Sequence, residues 1–305
     1  MVEFTLQKSE PVAGIVHSIH TQIPPKAFEF ADSSFKDIVL FVGGLTNGIL
    51  GVGYLPLLAR ALAPLGFGLV QALLSSSDRG WGTSSLKKDT AELAQLVKYL
   101  RTEVGKRNII LMGHSTGCQD TIHYLLHQNP TEPTLRVNGA IFQAPVSDRE
   151  AFSNELPIEE LDALNEEARA ILESKGANEL LPQKFRELAF NTPITAYRWL
   201  SLMAQRGDDD YFSSYLTDEE FSNTLGAINV PFLLLYSGSD EFVPQAVDSN
   251  KLVDRWKEIV QRNGLSDWSQ YSGIIDGATH DLGPQSNAGV DRVVNFIKNL
   301  SWDKN

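Results

Sequence analysis

Cysteine is almost missing: Cys118 is the only one in 305 residues, so no internal disulfide framework can form and packing must hold the chain together. Basic charge is also scarce. Lys and Arg number 26 against 38 Asp and Glu, a formal net charge of -12, which argues against nucleic acid and anionic membrane surfaces as partners. Neutral or cationic ligands are favoured. No apolar run reaches the roughly 18 residues of a membrane span; the greasiest stretch, Leu55 to Leu74, is broken by Arg60, Pro64 and Gly66. The first residues, Met1 to Lys8, lack the basic-then-apolar layout of a signal peptide. These absences predict a soluble protein with no membrane association, cytoplasmic by default. Internal repeats and low-complexity segments are lacking too.

What is present is 42% hydrophobic residues, enough for one large α/β core or two smaller ones. Gly14 to Ile19 and Ala27 to Ala31 read as a starting hairpin joined through Pro24-Pro25, and Asp37 to Val42 as a strand covered on both faces. Alternation follows. A helix over Tyr54 to Leu65, a strand over Gly66 to Leu74, a helix over Ser85 to Arg101, and strands over Asn108 to Met112 and Gly139 to Ala144 predict parallel pairing with right-handed crossovers. From Val146 to about Asn229 only helices are expected: Glu159 to Lys175, Gln183 to Leu188, Thr195 to Gln205 and Asp218 to Leu225. Alternation then resumes with strand Val230 to Tyr236, helix Ala246 to Asn263, strand Tyr271 to Ile275 and helix Ala288 to Leu300. The fold class is therefore α/β, a mostly parallel sheet with helices on both faces. Residues 1–145 and 230–305 make its two core parts, and 146–229 a helical cap over the carboxyl ends of the strands, where such sheets bind ligands.

The most informative local pattern is Gly113-His114-Ser115-Thr116-Gly117, set directly behind a predicted strand and ahead of the helix-compatible stretch Cys118 to His127. Strand, G-x-S-x-G and helix in that order form the setting of a nucleophile elbow. A serine needs a base to take its proton, and the base needs a third group to fix its tautomer. In this setting the expected chain order is serine, acid, histidine. Asp240 lies in the tight loop after strand Val230 to Tyr236, and His280 just past the strand ending at Ile275. Asp276 and Glu241 are rival acids on the same loops. Backbone N–H groups of Thr116 and of a residue in Gly43 to Gly48, with Leu45 the first choice, would receive a developing oxyanion.

Other candidates have plainer readings. The glycine-rich loop Gly43 to Gly48 lacks the Lys-Ser/Thr ending of a phosphate-binding loop. His123 and His127 have helical spacing for a metal but no glutamate between them, and His17 and His20 lack nearby ligands. Asp208-Asp209-Asp210 reads as a solvated turn, and Cys118 as a small buried residue. No metal or other cofactor is called for. The aromatics Trp81, Tyr197, Trp199 and Tyr211 are candidates to line a substrate pocket, with Phe212 and Tyr215 behind them.

Three segments carry a more specific resemblance: Gly113 to Asp120, Ser75 to Leu86 and Gln143 to Glu150. Through them nearly the whole chain resembles a fungal branch of the α/β-hydrolases, long catalogued only as a domain of unknown function. That branch includes intracellular siderophore esterases of the fusarinine C and triacetylfusarinine C type. The resemblance implies Ser115 as nucleophile, Asp240 as acid and His280 as base. It also implies a substrate, the ester bonds that link acylated N-hydroxyornithine units in fusarinine C, whose amines are free, or in its triacetylated form. Where many α/β-hydrolases have His-Gly after the third strand, this chain has Gly43-Gly44. Cleaving the cyclic triester would loosen ferric ion by separating linked chelating arms. The expected function is a serine esterase acting on a small ester and aiding intracellular iron release. Another serine hydrolase or acyltransferase on this fold, such as a lipid esterase or peptidase, and a non-catalytic receptor that keeps the triad, are the alternatives.

Overall fold

The computed structural model describes residues 11–19, 25–31, 34–128 and 132–301. Met1 to Lys8, His20 and Pro24, on which parts of the reading above fall, lie outside them. Eight strands form one sheet: β1 (Gly14–Ser18), β2 (Lys26–Phe30), β3 (Asp37–Val42), β4 (Phe67–Leu73), β5 (Ile109–His114), β6 (Gly139–Gln143), β7 (Phe232–Ser237) and β8 (Gly273–Ile275). Their spatial order is β1-β2-β4-β3-β5-β6-β7-β8. Only the β1–β2 and β2–β4 pairs are antiparallel. From β4 onward every pairing is parallel, as continuous apolar runs separated by helices require.

The crossovers are α1 (Leu55–Leu62), α2 (Leu86–Thr102), α3 (Gly117–His127) and α9 (Ser249–Asn263), and α10 (Ser286–Lys298) follows the last strand. Side-chain caps fix several starts. The Ser85 side chain accepts the Lys88 N–H and begins α2, and Asp248 does the same for Lys251, so α9 opens three residues later than periodicity suggests. Alternation along the strands sends side chains to two cores. Val39, Phe41, Ile110, Met112 and Leu233 pack with α1 and α10 on one face, and Leu40, Leu111, Phe142, Leu234 and Trp256 lie with α2, α3 and α9 on the other.

Between β6 and β7 run α4 (Asp148–Phe152), α5 (Ile158–Lys175), α6 (Gln183–Leu188), α7 (Ala196–Met203) and α8 (Asp218–Asn223). Sequence periodicity misses α4, a helix too short to show a period. The helices α4 to α7 close over a third core of Phe152, Leu161, Phe185, Trp199 and Met203, into which Trp81 inserts from the loop after β4. The end of this segment packs elsewhere. Phe212, Phe221 and Leu225 join Trp256 in the main core, so the helical segment is anchored to the sheet rather than hinged on it. The Asp208 to Asp210 run is a turn with Asp208 exposed, but its middle residue is not solvated. Asp209 is buried, ion-paired with Arg198 Nη1 at 2.6 Å and accepting the Ser201 hydroxyl at 2.5 Å. Asp208 accepts from the Tyr197 hydroxyl and Asp210 from that of Tyr215.

Candidate active site

Ser115 follows the last residue of β5 with φ 55°, a left-handed state costly for any residue with a side chain. Its N–H donates to Gln143 O at 3.0 Å, and its own carbonyl accepts the Cys118 N–H at 2.8 Å. The flanking glycines are required by space. A Cβ on Gly113 would meet Gly117 O at 2.2 Å, and one on Gly117 would meet Val42 O at 2.3 Å. This tight turn lifts Ser115 to partial exposure at the carboxyl edge of the sheet while its neighbours stay buried.

Asp240 and His280 come from the loops after β7 and β8, forty positions apart in the chain, and meet there. His280 Nδ1 lies 2.8 Å from Asp240 Oδ2 and 3.0 Å from Oδ1, with the aspartate side chain only 1% exposed. Asp240 Oδ1 also accepts the Phe242 N–H at 3.0 Å, which fixes the carboxylate. A carboxylate on Nδ1 stabilises the tautomer with Nε2 unprotonated, the form able to take a proton. The rival Glu241 is occupied differently, its Oε2 accepting the His280 main-chain N–H at 2.9 Å.

Gln143, at the end of β6, is a site residue that sequence reading passed over. Its Nε2 donates to His280 O at 2.9 Å, and its Oε1 accepts from the Tyr54 hydroxyl at 3.0 Å and from His114 Nδ1 at 2.6 Å. An amide oxygen can only accept, so His114 carries its proton on Nδ1. Burial, then the neighbouring His280, hold His114 down to about 3, so it stays neutral. Only the resemblance segment beginning at Gln143 hinted at this role. Phe242 was missed as well. It packs edge-on against the His280 ring at 4.6 Å and remains 39% exposed.

Of the two oxyanion candidates, Thr116 N–H is unbonded among the described residues and stands at the start of α3, where helix amides favour negative charge. Leu45 N–H is engaged, donating to Thr116 Oγ1 at 2.8 Å. Gly44 brings that loop close; a Cβ there would sit 2.5 Å from Ser115 Cβ.

Three of the four aromatic candidates do not line this site. Trp199 is fully buried in the helical core, edge-on to Phe185 at 4.8 Å, with its indole N–H on Asn165 Oδ1 at 2.9 Å. Tyr211 bonds His123 Nδ1 at 2.8 Å, toward the other end of α3 from Ser115, and Tyr197 is spent on Asp208. Aromatic residues of a lid more often build its core, and these do. Trp81 alone stays near the site, beside the Gly43 to Leu45 loop. His123 and His127 stack at 4.0 Å without a carboxylate between them, and Cys118 is buried, its thiol pushed well up by burial.

Comparison with known proteins agrees with this geometry. The chain is 35% identical over 341 residues to the fusarinine C esterase SidJ of Aspergillus fumigatus, covering 94% of this chain and 96% of that protein. It is 32% identical over 361 residues to an esterase of Emericella nidulans, covering 96% and 94%. Among solved structures, the siderophore hydrolase EstB from Aspergillus fumigatus superposes with a TM-score of 0.80 at 34% identity, covering 94% of this chain and 97% of that one. The eight-stranded, mostly parallel sheet with helices around it is thus an α/β-hydrolase fold. The family described as "Protein of unknown function (DUF1749)" matches residues 7–300, and the chain belongs to it.

Proposed function

We propose that this protein is a serine carboxylic-ester hydrolase acting on a fusarinine-type hydroxamate siderophore. The observation that carries the reaction is the pairing of His280 Nδ1 with the buried Asp240 carboxylate at 2.8 Å, beside a serine held at φ 55° on a strand-to-helix turn. The observation that carries the substrate is the similarity to a fusarinine C esterase over 94% of the chain.

In this reading His280 Nε2 takes the Ser115 hydroxyl proton as Oγ attacks the ester carbonyl, and the alcohol half departs with that proton. Water, activated by the same histidine, then attacks the acyl-enzyme and releases the acid. Asp240 holds the imidazole upright and stabilises its cation. The Thr116 N–H receives the oxyanion directly. The Leu45 N–H joins it by exchanging the neutral Thr116 hydroxyl for a charged oxygen, the stronger acceptor. Iron arrives and leaves as substrate cargo. Residues 146–229 act as the cap that selects the substrate, with the exposed ring of Phe242 beside His280. No helix among the described residues is long and apolar enough to cross a membrane. A cytoplasmic site of action fits the proposed role in releasing iron.

The test is hydrolysis of ferric fusarinine C and its triacetylated form, followed by product mass, with short p-nitrophenyl esters for comparison. Ser115→Ala should lower turnover by roughly 10³-fold or more in folded protein. Full turnover by that variant would overturn the serine mechanism. Better turnover of the simple esters than of both siderophores would overturn the substrate.

A further inference from the structure

Thr116, the residue after the proposed nucleophile, stands at the N-cap position of α3 and is buried. A threonine at that position commonly turns its hydroxyl back to accept an N–H from the first helical turn. This one makes no such bond. Its Oγ1 reaches across to the loop after β3 instead and accepts the Leu45 N–H at 2.8 Å. The hydroxyl proton itself has no acceptor among the described residues.

The neighbouring amides narrow what an incoming carbonyl oxygen can use. Gly44 N–H is taken by Asn47 Oδ1 at 2.9 Å inside its own loop, and Ser115 N–H by Gln143 O at 3.0 Å. Thr116 N–H is unbonded, and Leu45 N–H is held only by a neutral hydroxyl. An oxygen that takes the Leu45 N–H must arrive where Oγ1 now stands, because the two compete for one donor. Oγ1 is thereby moved to the flank of the arriving atom and stays in contact with it. A buried hydroxyl touching an oxygen that becomes anionic has one favourable orientation, with its proton toward the anion; the other sets lone pairs against negative charge. Rotation of the side chain is sufficient, and the backbone need not move.

We infer that the Thr116 hydroxyl is a catalytic group, a third donor to the oxyanion beside the Thr116 and Leu45 amides. The inference rests on the esterase reading and deepens its account of the same site. In the free protein the hydroxyl accepts, which keeps the Leu45 amide satisfied and aimed; as charge develops on the carbonyl oxygen, the hydroxyl becomes a donor. Its proton stays on Oγ1 throughout. A neutral ester oxygen gains less from this bond than an anionic one, so the hydroxyl acts on kcat rather than on KM.

The test compares Thr116→Val, Thr116→Ala and Thr116→Ser with wild type, using p-nitrophenyl acetate as substrate and a trifluoromethyl ketone as inhibitor, whose adduct on Ser115 is a tetrahedral oxyanion. Thr116→Val should lower kcat by about 100-fold or more while KM changes less than about threefold, and Thr116→Ser should stay within about fivefold of wild type. The inhibition constant of the ketone should weaken in Thr116→Val by a factor similar to the loss in kcat/KM. A hydroxyl that only occupies the Leu45 amide gives the opposite sign, because its removal frees that amide. Unchanged or raised kcat in Thr116→Val therefore overturns the inference. So does a loss that Thr116→Ala escapes, which assigns the effect to the valine methyl group, or a loss that Thr116→Ser shares in full. If Thr116→Val does not fold, the alanine and serine variants give the same reading. Failure of the esterase reading is seen in wild type, which then neither turns over the ester nor binds the ketone while keeping its fold.

Discussion

Gln143 and His280 are joined by a side-chain to main-chain hydrogen bond of 2.9 Å, while the Gln143 carbonyl accepts the Ser115 N–H at 3.0 Å. One residue at the end of β6 thus braces the backbone of the proposed nucleophile and of its base. Gln143→Leu should shift one relative to the other and lower kcat by about 10- to 100-fold with a smaller change in KM, since misplacement of about 1 Å can cost that much. Buried His114 and Tyr54 would also lose their acceptor, at about 1–3 kcal/mol each. Steady-state kinetics with a thermal melt checks both; unchanged kcat would refute the bracing role.

The two acids after β7 should separate cleanly. Asp240→Asn keeps the shape but not the charge on His280 Nδ1, and should cost about 10⁴-fold in kcat. Glu241→Gln touches only the His280 main-chain N–H and should cost less than about tenfold. A larger loss from the glutamate than from the aspartate would reverse the assignment.

Gly44→Ala places a methyl group 2.5 Å from Ser115 Cβ. The serine must move, and roughly 100-fold or greater loss of ester turnover is expected in protein with a native circular dichroism spectrum. Near-normal activity would mean that the loop yields instead.

His114 gives stability a pH dependence of known sign. Its folded value, about 3 because of burial and then His280, lies below the ordinary 6.5, so the unfolded chain binds the extra proton between those values. Stability from this group is full above pH 6.5 and falls as pH drops toward 3, by about 2 kcal/mol at pH 5. His114→Phe should flatten the decline of melting temperature between pH 6.5 and 4, relative to wild type. An equally steep decline in the variant would assign it to other groups.

Strand positions were legible because β3 to β7 are buried on both faces and therefore mostly apolar; the run Ile38 to Val42 needs no tertiary information. The elbow was legible because its glycines are forced by local backbone contacts. Asp240 and His280 were legible by chain order and loop position. Gln143 was not, since a glutamine at a strand end carries no pattern, and its partners come from α1, β5 and the loop after β8. Tyr197, Trp199 and Tyr211 lie elsewhere because composition cannot distinguish a ring that fills a helical core from one that faces a ligand.

The sequence by itself determined the α/β alternation, the strained turn at Ser115 and the residue types of the proposed triad, all set by local sterics and by burial along single elements. Only tertiary structure decided which carboxylate meets His280 Nδ1 and that Gln143 braces the site. Those relationships join residues from loops far apart in the chain, and no periodicity along a single element encodes them.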